Sequence, residues 1–297
     1  MFPKDLISGL FLLSVVFIGL MGNLLLFILY IYKFLIQPPQ KKPVDMIFTH
    51  LMLVNVLSIM FKLIPDVMRA FAVRLLFHDV ACKAVLYAYS VTRGLSLCTI
   101  LLLSVFQAIT VSSNDSKWAW LKSKLESCIF PLLLVIWIIN TFLYLPMVEN
   151  VKGKINFTVV GSRYFQIYCQ SSQDCCHSTM SHVTALMIRD ILLVFLLMWS
   201  SLYMVSLLFR HNRRTQHIHS FGVSLHASSE KRATKSILLL VGFFVFFIVQ
   251  TPFPFYLFYR PKNSPVLDLI IGVLSTGYPT ICPYVLMNNR KIISKFI

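Results

Sequence analysis

The chain alternates between long apolar stretches and short polar segments. A helix that crosses ~30 Å of hydrocarbon needs about 20 predominantly apolar residues, and the first stretch, Leu6–Tyr32, carries no charged residue. Six further stretches follow, so we predict seven spans at about residues 6–32, 44–65, 80–111, 126–147, 183–209, 234–259 and 265–287. The pattern therefore predicts an all-α membrane protein, with residues 1–297 forming a single bundle of seven transmembrane helices.

The basic residues orient this bundle. Of the 27 lysines and arginines, fifteen lie in one set of alternate segments, at residues 33–43, 112–125, 210–236 and after Met287. Eight lie in the other set, which includes the N-terminus and residues 148–183. Because short loops rich in Lys and Arg stay in the cytoplasm, we expect an extracellular N-terminus. Residues 210–236 would then form the third inner loop.

Composition excludes an ordinary soluble domain. The chain is 57% hydrophobic and 13% charged, against roughly 25% charged residues in a typical soluble domain. Its net charge of +16 is spread over loops rather than gathered on one solvated face, as nucleic-acid binding would require. We therefore expect no nucleic-acid partner. The basic 210–236 segment would instead face anionic lipid, dock a cytoplasmic partner, or do both.

Neither catalysis nor metal binding is indicated by the sequence. His217 and His219 form a His-x-His pair, but no Cys or carboxylate lies nearby at ligand spacing. The chain contains no Gly-rich phosphate loop, no Cys-x-x-Cys pair and no His-Glu-x-x-His motif. We expect no enzyme activity, no metal and no cofactor.

The 148–183 segment carries marks of an extracellular loop. It contains Cys169, Cys175 and Cys176, and Cys82 lies at the outer end of the third span. Since the cell exterior is oxidising, we expect a disulfide between Cys82 and this segment. Asn156-Phe157-Thr158 is a glycosylation acceptor on the same side, whereas Asn114-Asp115-Ser116 lies inside and should stay unmodified.

Ionisable residues within the spans are candidates for function, since each costs about 2.5–3.5 kcal/mol on insertion scales. Arg93 either lines a water-filled cavity and holds an anionic or hydrogen-bonding ligand, or pairs structurally with Asp190 of the fifth span. The sequence leaves both open. Arg189 lies near the end of that span and is expected to snorkel outward. Four amides are expected to form hydrogen bonds between helices: Asn23, Asn55, Asn140 and Gln107.

Several segments resemble one receptor family. The seven predicted spans, the cysteine at the outer end of the third span and the basic third inner loop resemble those of a G-protein-coupled receptor. The Asp-Arg-Tyr and Asn-Pro-x-x-Tyr motifs of the rhodopsin-like class are replaced by "SVFQAIT" (104–110) and "YPTICPYVLM" (278–287). Together with "CKAVLYAYSVTRGLSLCTILLLSVFQAITVS" (82–112), "RHNRRTQHIH" (210–219) and "SSEKRATKSILLLV" (228–241), these blocks closely resemble the vomeronasal type 1 receptors.

The resemblance implies a multi-pass chemosensory receptor of the plasma membrane. Such a receptor detects pheromones or other small molecules and activates an inhibitory-class heterotrimeric G protein. The resemblance also implies a disulfide between Cys82 and Cys169 and glycosylation at Asn156. Bitter taste receptors are the nearest competing family, and a membrane transporter is a further alternative, although no internal repeat is detectable.

Two sets of residues follow as hypotheses for the sites. We expect the ligand between the third, fifth, sixth and seventh helices, against Tyr87, Arg93, Asp190, Gln250 and Phe255. Gln107 stands at the depth of the missing Asp-Arg-Tyr arginine and cannot form the usual inner ionic lock. We expect the G protein to contact Gln107, Arg210, Arg213, Arg214, Lys231, Arg232 and Lys235.

Overall fold

The structure is a computed structural model. It describes residues 3–36, 43–71, 79–112, 116–149, 151–153, 164–166, 169–171, 176–218, 242 and 265–289. The helices in these ranges are α1 (Pro3–Ile36), α2 (Pro43–Ala70), α3 (Asp79–Ser112), α4 (Ser116–Tyr144), α5 (Pro146–Glu149), α6 (Cys176–Ile218) and α7 (Pro265–Asn289). The strands are β1 (Val151–Gly153), β2 (Tyr164–Gln166) and β3 (Cys169–Ser171).

Five of these helices are long and apolar enough to cross a membrane. Their candidate spans are Leu6–Ile36, Pro43–Met68, Val80–Thr110, Trp120–Tyr144 and Thr184–Leu207. Helix α7 occupies the position of the seventh predicted span. The sixth predicted span, 234–259, lies outside the described residues except for Gly242, which is helical.

Helix α6 differs most from the predicted spans. It begins at Cys176 and ends at Ile218, whereas the apolar pattern predicted a span of about 183–209. Backbone hydrogen bonds of a helix do not stop where the apolar residues do. The first part of the basic segment 210–236 is therefore helical, and its place as the third inner loop stays a prediction.

A small sheet lies between α5 and α6, which the all-α prediction did not include. Its strands are antiparallel in the order β1-β3-β2, and Gly153 of β1 is paired with Cys169 of β3. Strand β1 packs against α3. Because α4 leads through α5 directly to β1, the sheet lies where α4 ends and α3 begins, and we call this the sheet end of the bundle.

Helices α2 and α3 form the centre of the described bundle. Helix α2 packs against α1 and α3, and α3 packs against α4 and α6. In the spans of α2 and α3, 56% and 61% of the residues are buried, against 22% in those of α4 and α6. Side chains such as Phe142 and Phe195 are exposed, so the outer faces of α4 and α6 suit contact with lipid.

An amide network ties α7 to α1, α2 and α3. Pro283 has no N–H, so the carbonyl of Pro279 one turn earlier lacks its helical donor. The Nδ2 atom of Asn23 donates to that carbonyl oxygen at 2.8 Å, and the Oδ1 atom of Asn23 accepts a 3.3 Å bond from the Nδ2 atom of Asn55. Ser96 then donates to Asn55 at 3.3 Å. The predicted interhelical roles of Asn23 and Asn55 are confirmed.

Candidate functional site

An ion pair inside the bundle joins α3 to α6. The Nη2 atom of Arg93 lies 2.9 Å from the Oδ2 atom of Asp190. The sequence left open whether these residues meet, and the structure shows that they do. The Asp190 side chain is only 6% exposed, whereas that of Arg93 is 35% exposed. The Arg93 side chain is therefore partly exposed, while its carboxylate partner is buried.

Arg189 belongs to the same cluster, so the expectation that it snorkels outward was wrong. Its Nη2 and Nε atoms donate to the Oδ1 atom of Asp190 at 2.8 and 3.1 Å. On α4, it donates to the hydroxyl of Tyr144 at 3.0 Å and to the Oδ1 atom of Asn140 at 3.3 Å. Each oxygen of Asp190 thus receives one arginine. Two guanidiniums against one carboxylate leave an excess positive charge of one in this cluster.

Gly94 lets α4 approach α3 closely enough to complete the cluster. A Cβ atom at position 94 would lie 2.3 Å from the Oδ1 atom of Asn140 and 2.9 Å from the ring of Tyr144. Asn140 also donates to the carbonyl of Ile136 at 2.8 Å and to the sulfur of Cys98 at 3.7 Å. Only glycine leaves room here, so the Arg93-Gly94 pair combines the charge with the space for its neighbours.

Tyr87 does not join this cluster. Its hydroxyl donates to the carbonyl oxygen of Thr141 on α4 at 2.9 Å. Tyr87 and Arg93 are six residues apart, which places them about 120° apart around the helix. Its place in the ligand site remains a prediction. Gln250 and Phe255 lie outside the described residues.

Four of the seven predicted G-protein contacts lie in described helices, toward the opposite end of the bundle. The Oε1 atom of Gln107 is buried and has no hydrogen-bond partner among the described residues, so its predicted interhelical bond is not formed by that oxygen. Nearby, Ser104 of α3 shares a 2.7 Å hydrogen bond with Ser200 of α6. The backbone of Arg210, Arg213 and Arg214 is in the last turns of α6. The remaining three predicted contacts lie outside the described residues: Lys231, Arg232 and Lys235.

Cys82 is buried and forms a disulfide. Cys98, Cys128 and Cys282 are free, which leaves the three cysteines of the 148–183 segment as possible partners. Strand β3 begins at Cys169, but its side chain is not among those described, so the pairing of Cys82 with Cys169 stays a prediction. Asn156 lies outside the described residues.

No metal centre is formed by the part of the chain that the structure describes, where no three His, Cys, Asp or Glu side chains come together. The predicted interhelical role of Asn140 is confirmed, but nothing in the sequence indicated Arg189 as its partner or indicated a role for Tyr144. These residues lie about 45 positions away, and only the packing of α4 against α3 brings them within reach.

Comparison with known proteins identifies similar chains over nearly the whole length. A model of the vomeronasal organ pheromone receptor family matches residues 6–297. Human vomeronasal type-1 receptor 3 is 33% identical over 99% of this chain and 94% of its own length. Human vomeronasal type-1 receptor 4 is 33% identical over 96% of this chain and 95% of its own. Rat vomeronasal type-1 receptor 94 is 32% identical over 94% of this chain and 85% of its own length.

Proposed function

This chain belongs to the vomeronasal organ pheromone receptor family, and from that premise we propose that it detects a pheromone or another small molecule at the plasma membrane and activates an inhibitory-class heterotrimeric G protein. Membership makes it a chemosensory G-protein-coupled receptor with a seven-transmembrane fold. In this proposal the sheet end and the N-terminus are extracellular, because the segments richer in Lys and Arg lie at the opposite end.

The ion pair between Arg93 and Asp190 is the observation on which the proposed ligand site is based. Arg93 is partly exposed, and a guanidinium presents several N–H donors in a planar fork. The cluster of Arg93, Arg189 and Asp190 has one positive charge in excess. An anionic group on a small apolar molecule would match that charge, so we propose that it binds Arg93.

Arg189 would keep the carboxylate of Asp190 paired while Arg93 binds a ligand. If a ligand anion draws Arg93 away from the Oδ2 atom of Asp190, the Oδ1 atom keeps both bonds from Arg189. The contact between α3 and α6 then loosens. A ligand shifts the receptor toward one arrangement of helices only if it binds that arrangement more tightly. Exchange of the partner of Arg93 supplies such a difference.

The response would pass along α3 and α6 to the inner end. Ser104 and Ser200 link these helices, and the Oε1 atom of Gln107, which has no hydrogen-bond partner in the described part of the chain, lies one turn farther along. Positions 210, 213 and 214 share one face of α6 by their spacing. We propose that this basic face, with Gln107 and the Lys231, Arg232 and Lys235 group, contacts the G protein. Tyr87, Gln250 and Phe255 complete the proposed ligand lining, and anionic lipid contacts the basic segments.

The proposal is tested by expressing the receptor with a G protein and screening small molecules for a calcium response. We expect Arg93→Ala to lower the potency of an active anionic compound at least about tenfold, since a charge-assisted hydrogen bond contributes roughly 1.5–3 kcal/mol. Lys33→Ala is the matched control, because it breaks the ion pair with Asp45 far from the site and should leave potency unchanged. Nucleotide exchange on purified G proteins of each class identifies the coupling partner.

A charge exchange separates ligand binding from structural pairing. Arg93→Asp combined with Asp190→Arg restores an ion pair but moves the guanidinium from α3 to α6. We expect this double variant to recover surface expression relative to either single variant, without recovering ligand potency. Full recovery of potency would show that the pair is purely structural and would contradict the ligand role of Arg93.

A further inference from the structure

A second ionisable pair lies within the span of α2, and the ligand site proposed above does not use it. Lys62 and Asp66 are one helical turn apart in the candidate span Pro43–Met68. Their side chains are 11% and 9% exposed. An ionisable residue at such a place is expensive to insert in a membrane and indicates a function by default.

The ammonium group of Lys62 is neutralised but poorly hydrogen-bonded. Its Nζ atom lies 3.7 Å from the Oδ2 atom of Asp66, which is close enough for an ion pair but beyond hydrogen-bonding distance. Its other contact among the described residues is with the ring of Tyr89 on α3, whose centroid is 5.7 Å away. An ammonium carries three donors and no acceptor. The charge of Lys62 is therefore balanced, while its hydrogen-bonding capacity is unused by the described residues.

Tyr89 connects this pair to the Arg93 cluster. Residues four apart lie on the same face of a helix, so Tyr89 stands directly on the sheet-end side of Arg93. On the other side, a Cβ atom at Gly272 of α7 would lie 3.4 Å from the Oδ2 atom of Asp66. The Lys62 pair therefore lies among α2, α3 and α7, next to the proposed ligand site.

We propose that Lys62 is a second ligand anchor, which donates a hydrogen bond to a neutral acceptor oxygen of the molecule whose anionic group binds Arg93. This inference rests on the proposed function. The charged side chains among the described residues assign the two ends: the Arg93 cluster contains two guanidiniums and one carboxylate, whereas Lys62 has the single carboxylate of Asp66 beside it. Tyr89 lies between the anchors with an aromatic ring: the ring centroid is 5.7 Å from the Nζ atom of Lys62, and position 89 is about 6 Å along α3 from position 93. The ligand class is a small apolar monoanion with a carbonyl or ether oxygen at its far end.

The competing explanation is an ion pair that serves only the fold. Oppositely charged residues at this spacing stabilise helices by about 0.2–0.5 kcal/mol. A structural pair would affect receptor abundance at the cell surface. It would not make the receptor distinguish ligands that carry a distal oxygen from those that lack one.

The test uses three series of probes in the calcium assay. Monomethyl esters of aliphatic α,ω-dicarboxylic acids carry one carboxylate and one distal carbonyl, fatty acids of matching length carry only the carboxylate, and the diacids carry two. On the unchanged receptor, we expect the half-esters to be about tenfold more potent than the fatty acids. Lys62→Met should abolish that advantage, and Lys62→Arg should retain it. Arg93→Ala should weaken both series.

A second variant distinguishes the loss of a ligand contact from the loss of folding. Lys62→Met combined with Asp66→Leu removes both charges of the pair, and it should reach the surface while still lacking the half-ester preference. A preference that survives in either Lys62→Met variant contradicts the inference. A receptor that responds to other small molecules but to none of these acids also contradicts the inference. That outcome does not contradict the proposed function. A surface-expressed receptor that responds to no small molecule contradicts both the inference and the proposed function.

Discussion

Gly94 shows how one missing side chain holds the polar cluster together. Its neighbour Arg93 supplies the charge, but the packing of α4 against α3 depends on the space at position 94. Asn140 and Tyr144 fill that space and both receive hydrogen bonds from Arg189. The position of Arg189, and through it that of Asp190, is therefore set by a residue without chemistry of its own.

Gly94→Ala should destabilise the receptor by about 1–3 kcal/mol, the usual range for overpacking a filled site. The added methyl group would displace Asn140, whose Oδ1 atom lies 2.3 Å from the Cβ position. The measurement is thermal unfolding of the purified receptor, together with its abundance at the cell surface. Gly272→Ala is the control, since its Cβ would meet its nearest neighbour at an ordinary 3.4 Å. Equal stability of the two variants would contradict the packing argument.

At the same scale, the sequence predicted which residues are special but not which way they face. It left the pairing of Arg93 with Asp190 open, and it directed Arg189 outward because long cations near span ends commonly snorkel. The actual direction depends on the rotation of α6 about its axis. That rotation is fixed by packing against α3 and α4, which a single sequence does not reveal.

Among the helices, α7 shows how a proline is accommodated in a span. The carbonyl of Pro279 lacks its donor because Pro283 has no N–H, and Asn23 of α1 replaces it. Membrane helices tolerate proline where a neighbouring helix satisfies the freed group. The proline is therefore accommodated through a contact between α1 and α7.

This account predicts that Asn23 and Pro283 are energetically coupled. Asn23→Ala should cost about 1–3 kcal/mol, because it leaves a buried carbonyl unsatisfied. In a Pro283→Ala background the restored N–H can bond to Pro279, so the cost of Asn23→Ala should fall. Unfolding midpoints of the four receptors in this cycle give the coupling. Ser14→Ala is the control, since Ser14 is on the exposed side of α1; an undiminished cost in the Pro283→Ala background would contradict the account.

The apolar pattern predicted where helices lie better than where they end. Hydrocarbon thickness sets how many apolar residues are needed, but the helix itself continues for as long as its hydrogen bonds do. Hence α6 reaches Ile218 among arginines and histidines. The sheet was missed for another reason. Each strand has three residues, too few to show an alternating pattern.

For the molecule as a whole, the orientation in the membrane is the prediction on which the receptor topology depends. If the sheet end is extracellular, Asn156 is glycosylated and Asn114 is not. Asn156→Gln should then abolish the mobility shift that glycosidase treatment produces on a gel, whereas Asn114→Gln should leave it unchanged. Glycosylation at Asn114 would instead place the basic segments outside and overturn the receptor topology.

The length of α6 has a mechanical consequence. Its 43 residues form a rod about 65 Å long, roughly twice the ~30 Å of the hydrocarbon layer. Asp190 is held near one end, and about 42 Å of helix separates it from Ile218. The rod is thus a lever with a short arm between the ion pair and Cys176 and a long arm that runs through the span Thr184–Leu207 to the basic tip at Ile218. A tilt of about 5° at Asp190 would sweep the basic tip through about 4 Å, so a small rearrangement around one carboxylate is amplified at the far end.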